Sequence, residues 1–447
     1  MRAVQPLHIL PFAVGLASAA LYDTVIQTKY GAVQGYPAFN STPSVDNLTN
    51  WKNITNRWKA PQPASAWNGT LNAKEFGNVC PSTTQGFNNY TIDKDCLNLN
   101  IWSTANSSDA KLPVVMWSYP ALSTAADNLF NGAGMADKGI VYVNYNYRMG
   151  AFGWLSHPKL SEEFEQFTVL KWIHENIAAF GGDPDHITVM GQSAGSAATQ
   201  HILNSPLTKG LIGVRLFKAL NVLSIAEARE VSYGTIVNIA DTTTFGSSSS
   251  GESWSFSATL DYYAMLDTYY NTLVKGLAQD MPVITGNTKD ESGATFNLML
   301  SLADYLLDMN STFLGEWLEW FLEAYAANSL MLAPDAYNSQ WTDRSKDQGA
   351  YHESKINYVL NNLFDTNLPW TATDYQIANK LNSYWVNFIK TSNPNSVDTD
   401  GQALVHWAPT TTTETVQHVG NGWGAIPLAP KDKVKLFQEW FKIQPLY

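Results

Sequence analysis

The residues with the clearest chemical potential are Gly191-Gln192-Ser193-Ala194-Gly195. A serine between two glycines at this spacing fits a tight strand-to-helix turn whose strained backbone pushes the hydroxyl outward. The glycines are needed there because a Cβ would strike the adjoining strand or helix. A hydroxyl displayed in this way can attack an acyl carbon, provided that a base takes its proton. The bland alternative is an ordinary Gly/Ser turn. The flanks favour the nucleophile. Ile187-Thr188-Val189-Met190 is an apolar run long enough for one buried strand, and Ser196–Leu203 is compatible with a helix. Phe180-Gly181-Gly182 closes the preceding helix.

A turn of this kind needs a scaffold of strands and helices. Val25–Thr28 and Tyr30–Gly35 alternate and turn like a β-hairpin. Residues 37–81 are polar, aromatic and proline-rich, as expected of irregular surface. Leu97, Leu99 and Ile101 alternate strictly, which predicts a half-buried strand. Leu112–Trp117 and Ile140–Tyr145 are continuous apolar runs, as in central parallel strands. Leu170, Ile173, Ile177 and Phe180 share one helical face. Pro282–Gly286 reads as a further buried strand with a loop after it. Leu302–Tyr325, rich in Leu, Trp and Phe, fits a core-packing helix pair or a cap lining an acyl pocket. Gly246–Ser255 reads as a loop. Strands alternating with helices imply a doubly wound α/β sheet, with its site beyond the C-terminal strand ends.

Composition narrows the partners. The 447 residues, 45% hydrophobic and 15% charged, suffice for a large core in one domain. A net charge of −12 without basic clusters argues against nucleic acid and anionic membrane surfaces. Arg2, the apolar run His8–Leu16 and Ala17-Ser18-Ala19 have the form of a signal peptide, so residues 1–19 are expected to be removed and 20–447 to be secreted as one domain. No run is long enough for a transmembrane segment. Cys80 and Cys96 are then expected to form one disulfide. Sequons at Asn40, Asn47, Asn53, Asn68, Asn89, Asn106 and Asn310, six of them before Leu112, point to a glycosylated face.

Phe180–Gly195, Asp95–Ile101 and Asn146-Tyr147-Arg148-Met149-Gly150-Ala151-Phe152-Gly153 together resemble the type-B carboxylesterase/lipase family, and the wording is similar to its secreted fungal members. The resemblance extends with gaps from about Thr28 to the end. It implies the α/β-hydrolase fold, a mostly parallel central sheet flanked by helices, and hydrolysis of small-molecule or lipid esters without cofactor or metal.

In this fold the acid and the base follow the serine in chain order. His201 lies on the serine's own helix, about two turns along, and cannot reach back. His406 and His418 lie in the C-terminal tail and read as surface histidines. His352, in Gly349-Ala350-Tyr351-His352-Glu353 ahead of an apolar helix, resembles the family's base loop. Asp290 and Glu291 both follow the strand expected at Pro282–Gly286, and composition does not separate them. The resemblance points to Glu291, which stands before a small residue. Ser193 then attacks the ester carbonyl, His352 takes its proton, and Glu291 fixes the imidazole.

The oxyanion hole is expected from the N–H groups of Ala194, Ala121 and Leu122. The family's glycine-rich turn is here Tyr119-Pro120-Ala121-Leu122, and Pro120 has no N–H. Two segments depart further. Ser161–Gln166 runs almost straight into a helix where members carry a longer loop. Gly213–Leu220 reads as a helix start where members have a strand. Gln192 replaces a glutamate found in many members. The loop between the cysteines holds Phe87 and Tyr90 but no Trp, which disfavours choline esters and favours neutral apolar or aromatic ones. These departures also define a competing reading, a binding or adhesion protein on the same fold with impaired or no catalysis.

Overall fold

The computed structural model describes residues 24–37, 43–45, 61, 65–73, 75–82, 90–121, 123–153, 165–204, 267–276, 282–288, 306–307, 309–310, 313, 315–324, 350–410, 415–420 and 422–443. In chain order the strands are β1 (Ile26–Gln27), β2 (Ala32–Gln34), β3 (Tyr36–Pro37), β4 (Pro43–Val45), β5 (Thr70–Asn72), β6 (Leu99–Trp102), β7 (Leu112–Ser118), β8 (Val141–Tyr145), β9 (Gly182–Gly191), β10 (Thr415–His418) and β11 (Gly424–Pro427). The helices are α1 (Ala133–Ala136), α2 (Gly150–Gly153), α3 (Glu165–Asn176), α4 (Ala194–Asn204), α5 (Tyr269–Val274), α6 (Glu316–Ala324), α7 (Ile356–Leu360), α8 (Ala372–Thr391) and α9 (Lys431–Ile443).

The hairpin expected near the start is present, with β1 and β2 antiparallel. The central sheet has the order β3-β4-β6-β8-β7-β9. Its first half is antiparallel, and only β8, β7 and β9 run parallel. The expected parallel character therefore belongs to the half that carries the serine. Val114, Val115 and Met116 of β7 and Val141, Tyr142 and Val143 of β8 are fully buried, as runs apolar on both faces require. The pairing of β7 with β9 shifts between Leu112 and Val114. Pro113 lies at that rung and has no N–H to donate.

Two strand expectations need correction. The alternation at Leu97–Ile101 predicts a half-buried strand, yet β6 is buried throughout. Asn98, just before β6, and Asn100, within it, are buried and hydrogen-bond to Asn146, just after β8, and to Asn144 of β8. Pro282–Gly286 forms no strand, and Val283 is 54% exposed. Apolar residues need a neighbouring ladder to become a strand, and among the described residues β9 pairs with β7 alone. Ile187–Met190 of β9 is accordingly half-buried and not enclosed.

Of the apolar face expected along helix α3 and the turn after it, Ile173, Ile177 and Phe180 are buried and Leu170 is half-buried. Val169, Trp172 and Ile173 are buried, and a 3₁₀ turn, Ile177–Phe180, continues into the core. Gly181 ends it at φ 75°, and a Cβ there would lie 2.2 Å from that of Ala105. Arg148, just after β8, forms a buried ion pair with Glu165 at the start of α3. A smaller aromatic cluster lies elsewhere. Phe313 and Phe321 stack at 4.2 Å and meet Leu436, Phe437 and Trp440 of α9. In the described part of Leu302–Tyr325, then, α6 packs against α9. Cys80 and Cys96 are disulfide-bonded. Asn68, Asn106 and Asn310 are exposed, whereas Asn40, Asn47, Asn53 and Asn89 lie outside the described residues, as do 1–19, Gly213–Leu220 and Gly246–Ser255. No helix among the described residues is long and apolar enough to cross a membrane.

Candidate active site

Strand β9 ends at Gly191 and α4 begins at Ala194, so Gln192 and Ser193 make the whole turn. Ser193 sits at φ 53°, in the left-handed region that costs a side-chain-bearing residue about 1–2 kcal/mol. Hydrogen bonds hold it there: Gly195 N–H to Gln192 O at 2.8 Å, and Ser196 and Ala197 N–H to Ser193 O at 2.9 and 3.1 Å. Both glycines are sterically required. A Cβ on Gly191 would lie 2.3 Å from Gly195 O, and one on Gly195 would lie 1.9 Å from Ser118 O. The end of β7 is thus pressed against the turn. Ala194 begins α4, so its N–H stands at the positive end of the helix dipole.

After Ser118 the chain enters Tyr119-Pro120-Ala121. Tyr119 and Tyr147 stack with centroids 4.3 Å apart and exchange three hydrogen bonds. The Tyr119 hydroxyl donates to Tyr147 O and accepts from Tyr147 N–H, both at 3.0 Å, and the Tyr147 hydroxyl donates to Tyr119 O. Beyond the turn, Asn146 Oδ1 accepts from the Thr124 hydroxyl and from Ala125 N–H, both at 2.9 Å. The Asn144 amide donates to Ala125 O at 3.0 Å and to Phe130 O at 3.2 Å. Asn100 donates to Asn144 Oδ1 at 2.7 Å. A ladder of buried asparagines therefore staples the segment after β7 to the ends of β6 and β8. Sequence reasoning missed these positioning residues. Their signal was four asparagines inside apolar strand ends, since a polar group buried there must be paired. Ala121 is exposed at the tip of the turn, and Leu122 lies outside the described residues.

His352 comes to the same place from far along the chain. Its Nε2 lies 3.1 Å from the side-chain Nε2 of Gln192, the residue before Ser193. The loop from Ala350 runs into α7, a helix buried along its whole length. At the far end of α7 the Asn362 amide donates to Leu129 O at 2.9 Å and to Asn131 O at 3.1 Å. The histidine loop and the segment after the Pro120 turn are thereby tied to each other. Glu353, at φ 79°, is one of five side-chain-bearing residues at positive φ among the described residues. Burial raises the carboxyl of Glu353 above its ordinary value, against the lowering pull of His352 and Lys355. Burial likewise raises Asp127 and Asp365. His201, on α4, is pushed down to about 4 by burial. His406 is exposed and His418 lies in β10. Thr288 is buried, while Asp290 and Glu291 lie outside the described residues.

A sheet whose parallel half delivers a strained serine into a helix N-terminus, with a histidine brought against the turn, defines an α/β-hydrolase esterase. The chain belongs to the Carboxylesterase family, which matches residues 23–286 and 323–422; its class is that of carboxylic ester hydrolases. It is similar to the fumonisin B1 esterase of Sphingopyxis macrogoltabida, at 27% identity over 81% of each chain. It is also similar to the para-nitrobenzyl esterase of Bacillus subtilis, at 26% identity over 83% of this chain and 91% of that one. The crystal structure of Aspergillus niger EstA shares its fold, with a TM-score of 0.77 at 20% identity over 94% of this chain and 98% of that one.

Proposed function

We propose that the chain is a secreted serine esterase acting through an acyl-enzyme on Ser193. The Ser193 oxygen attacks the ester carbonyl while its proton passes to His352 Nε2. The N–H groups of Ala194, Ala121 and Leu122 receive the developing oxyanion, and Glu291 holds the other side of the imidazole. His352 returns the proton to the leaving alkoxide, and water then cleaves the acyl group with His352 again as base. The observation that supports the reading is the 3.1 Å contact between His352 and the side chain of Gln192, the residue before a serine held at φ 53°.

Neutral esters of apolar or aromatic groups are the proposed substrates, in keeping with a para-nitrobenzyl esterase among the relatives. Residues 1–19 are the proposed signal peptide, and 20–447 the secreted hydrolase domain. Asn68, Asn106 and Asn310, exposed as a glycan requires, lead the proposed glycosylation sites. The test is turnover of p-nitrophenyl esters from acetate to palmitate, together with mass spectrometry of a phosphonate adduct. Turnover abolished in Ser193→Ala and a single adduct on Ser193 are expected. A folded protein with neither Ser193-dependent turnover nor adduct sinks the reading and leaves a binding protein on an esterase fold.

A further inference from the structure

Two consecutive residues grip the two ends of the turn after β7. Tyr147 holds the near end. Its hydroxyl donates to Tyr119 O, and its backbone O and N–H both bond the Tyr119 hydroxyl at 3.0 Å. Asn146 holds the far end. Its Oδ1 accepts from the Thr124 hydroxyl and from Ala125 N–H, while its amide nitrogen donates to Asn78 O at 3.1 Å. Backbone partners fix the sense of these bonds, because a carbonyl oxygen only accepts and a peptide N–H only donates. Tyr119, Asn146 and Tyr147 are all buried, and the Tyr119 ring stacks on those of Tyr147 and Phe130. Burial raises both phenols above the ordinary tyrosine value, so the hydroxyls keep their protons at neutral pH.

Between the two grips lies the turn that begins Pro120-Ala121. Tyr119 O also faces the helix that follows the serine, since a Cβ on Gly195 would lie 2.6 Å from it. The Tyr119–Pro120 peptide is therefore bonded by the Tyr147 hydroxyl and pressed against the first turn of α4. A peptide is planar, and the proline ring sets its own φ near about −65°. Only ψ of Pro120 then remains between that held plane and the direction of the Ala121 N–H. We propose that Asn146 and Tyr147 are positioning residues for the oxyanion turn, and that the Tyr147 hydroxyl, through Tyr119 O and Pro120, aims the Ala121 N–H. The inference rests on the Ser193 esterase reading, with Ala121 as a donor. In the attack Ser193 Oγ bonds to the acyl carbon, its proton passes to His352, and the carbonyl π pair moves to oxygen. An N–H already held in place meets that charge without reorganisation. Without the Tyr147 hydroxyl the Tyr119–Pro120 plane turns more freely, and the donor is misaimed while the rest of the substrate binds as before.

Three full-length proteins are compared on p-nitrophenyl butyrate: the native chain, Tyr147→Phe and Tyr119→Phe. A propyl trifluoromethyl ketone serves as a second probe, because addition of Ser193 Oγ to its carbonyl gives a hemiketal whose oxyanion sits where that of the ester would. Tyr147→Phe loses one hydroxyl and keeps its ring. Its kcat should fall about 10- to 100-fold at little change in KM, short of the roughly 10²–10³ expected when a donor is removed outright. Affinity for the ketone should fall by the same factor as kcat. Tyr119→Phe, which releases the other two bonds of the pair, should act in the same direction. A role in folding alone would lower the urea midpoint and leave kcat and ketone affinity native. That result in Tyr147→Phe, or in Tyr119→Phe where Tyr147→Phe does not fold, overturns the proposal while the esterase reading stands. A native chain with neither Ser193-dependent turnover nor a ketone adduct overturns the esterase reading, and the proposal with it.

Discussion

Gly195 faces the carbonyl of Ser118 so closely that a Cβ on it would lie 1.9 Å from the oxygen. Both partners are backbone in the centre of the molecule, one at the end of β7 and one in the first turn of α4, so no rotamer relieves the clash. Gly195→Ala should destabilise the protein by about 1–3 kcal/mol and displace the serine. Urea unfolding monitored by tryptophan fluorescence, together with p-nitrophenyl butyrate turnover, checks this. Native stability and activity in the variant would show that β7 and α4 do not pack as described.

The strain at Ser193 gives a second expectation. At φ 53° a Cβ is a liability that glycine lacks. Ser193→Gly should therefore be more stable than Ser193→Ala by roughly 1 kcal/mol, although both lose the nucleophile. Comparing their urea midpoints isolates the backbone term, and equal midpoints would mean that the turn carries no strain.

Asn144 joins Asn100 to two backbone carbonyls of the segment after β7. Asn144→Leu keeps a similar volume but removes its bonds to Asn100, Ala125 O and Phe130 O, of which Asn100 and Ala125 O still reach each other at 3.3 Å. About 1–3 kcal/mol is expected for each one left unsatisfied. Because that segment follows the turn proposed to receive the oxyanion, kcat should fall as well. A variant that loses stability but keeps native kcat would show that the ladder supports the fold without positioning the turn.

His201 makes stability depend on pH. Its folded-state value is lowered to about 4, so in the unfolded chain it binds a proton first as the pH falls. Its contribution is present above the ordinary histidine value near 6.5 and is lost as the pH drops toward 4, by about 3 kcal/mol in all. Urea unfolding at intervals between pH 7 and pH 4 should show this loss, and His201→Gln should flatten the curve across that window. An unchanged slope in the variant would exclude the histidine as its source.

Local patterns announced much of this protein. The Gly-x-Ser-x-Gly turn needs only neighbouring residues for its strain and its flanking glycines. Strands β7 and β8 follow from apolar runs, because a strand buried on both faces has no use for polar residues. Helix α3 and its glycine stop follow from periodicity and from the one residue type that tolerates φ 75°. The choice of His352 rested on a loop context and a family resemblance, since composition ranks no histidine above another.

Tertiary structure alone decided the rest, because those features depend on residues distant in sequence meeting in space. Whether Val283-Ile284 becomes a strand is settled by the presence of a ladder beside it, and the described sheet does not offer one. Whether Asn98 and Asn100 face water or the interior depends on Asn144 and Asn146 arriving opposite them. The replacement of glutamate by Gln192 reads in one dimension only as a lost charge. In three dimensions Gln192 is a buried residue whose amide meets, at 3.1 Å, an imidazole from 160 residues away.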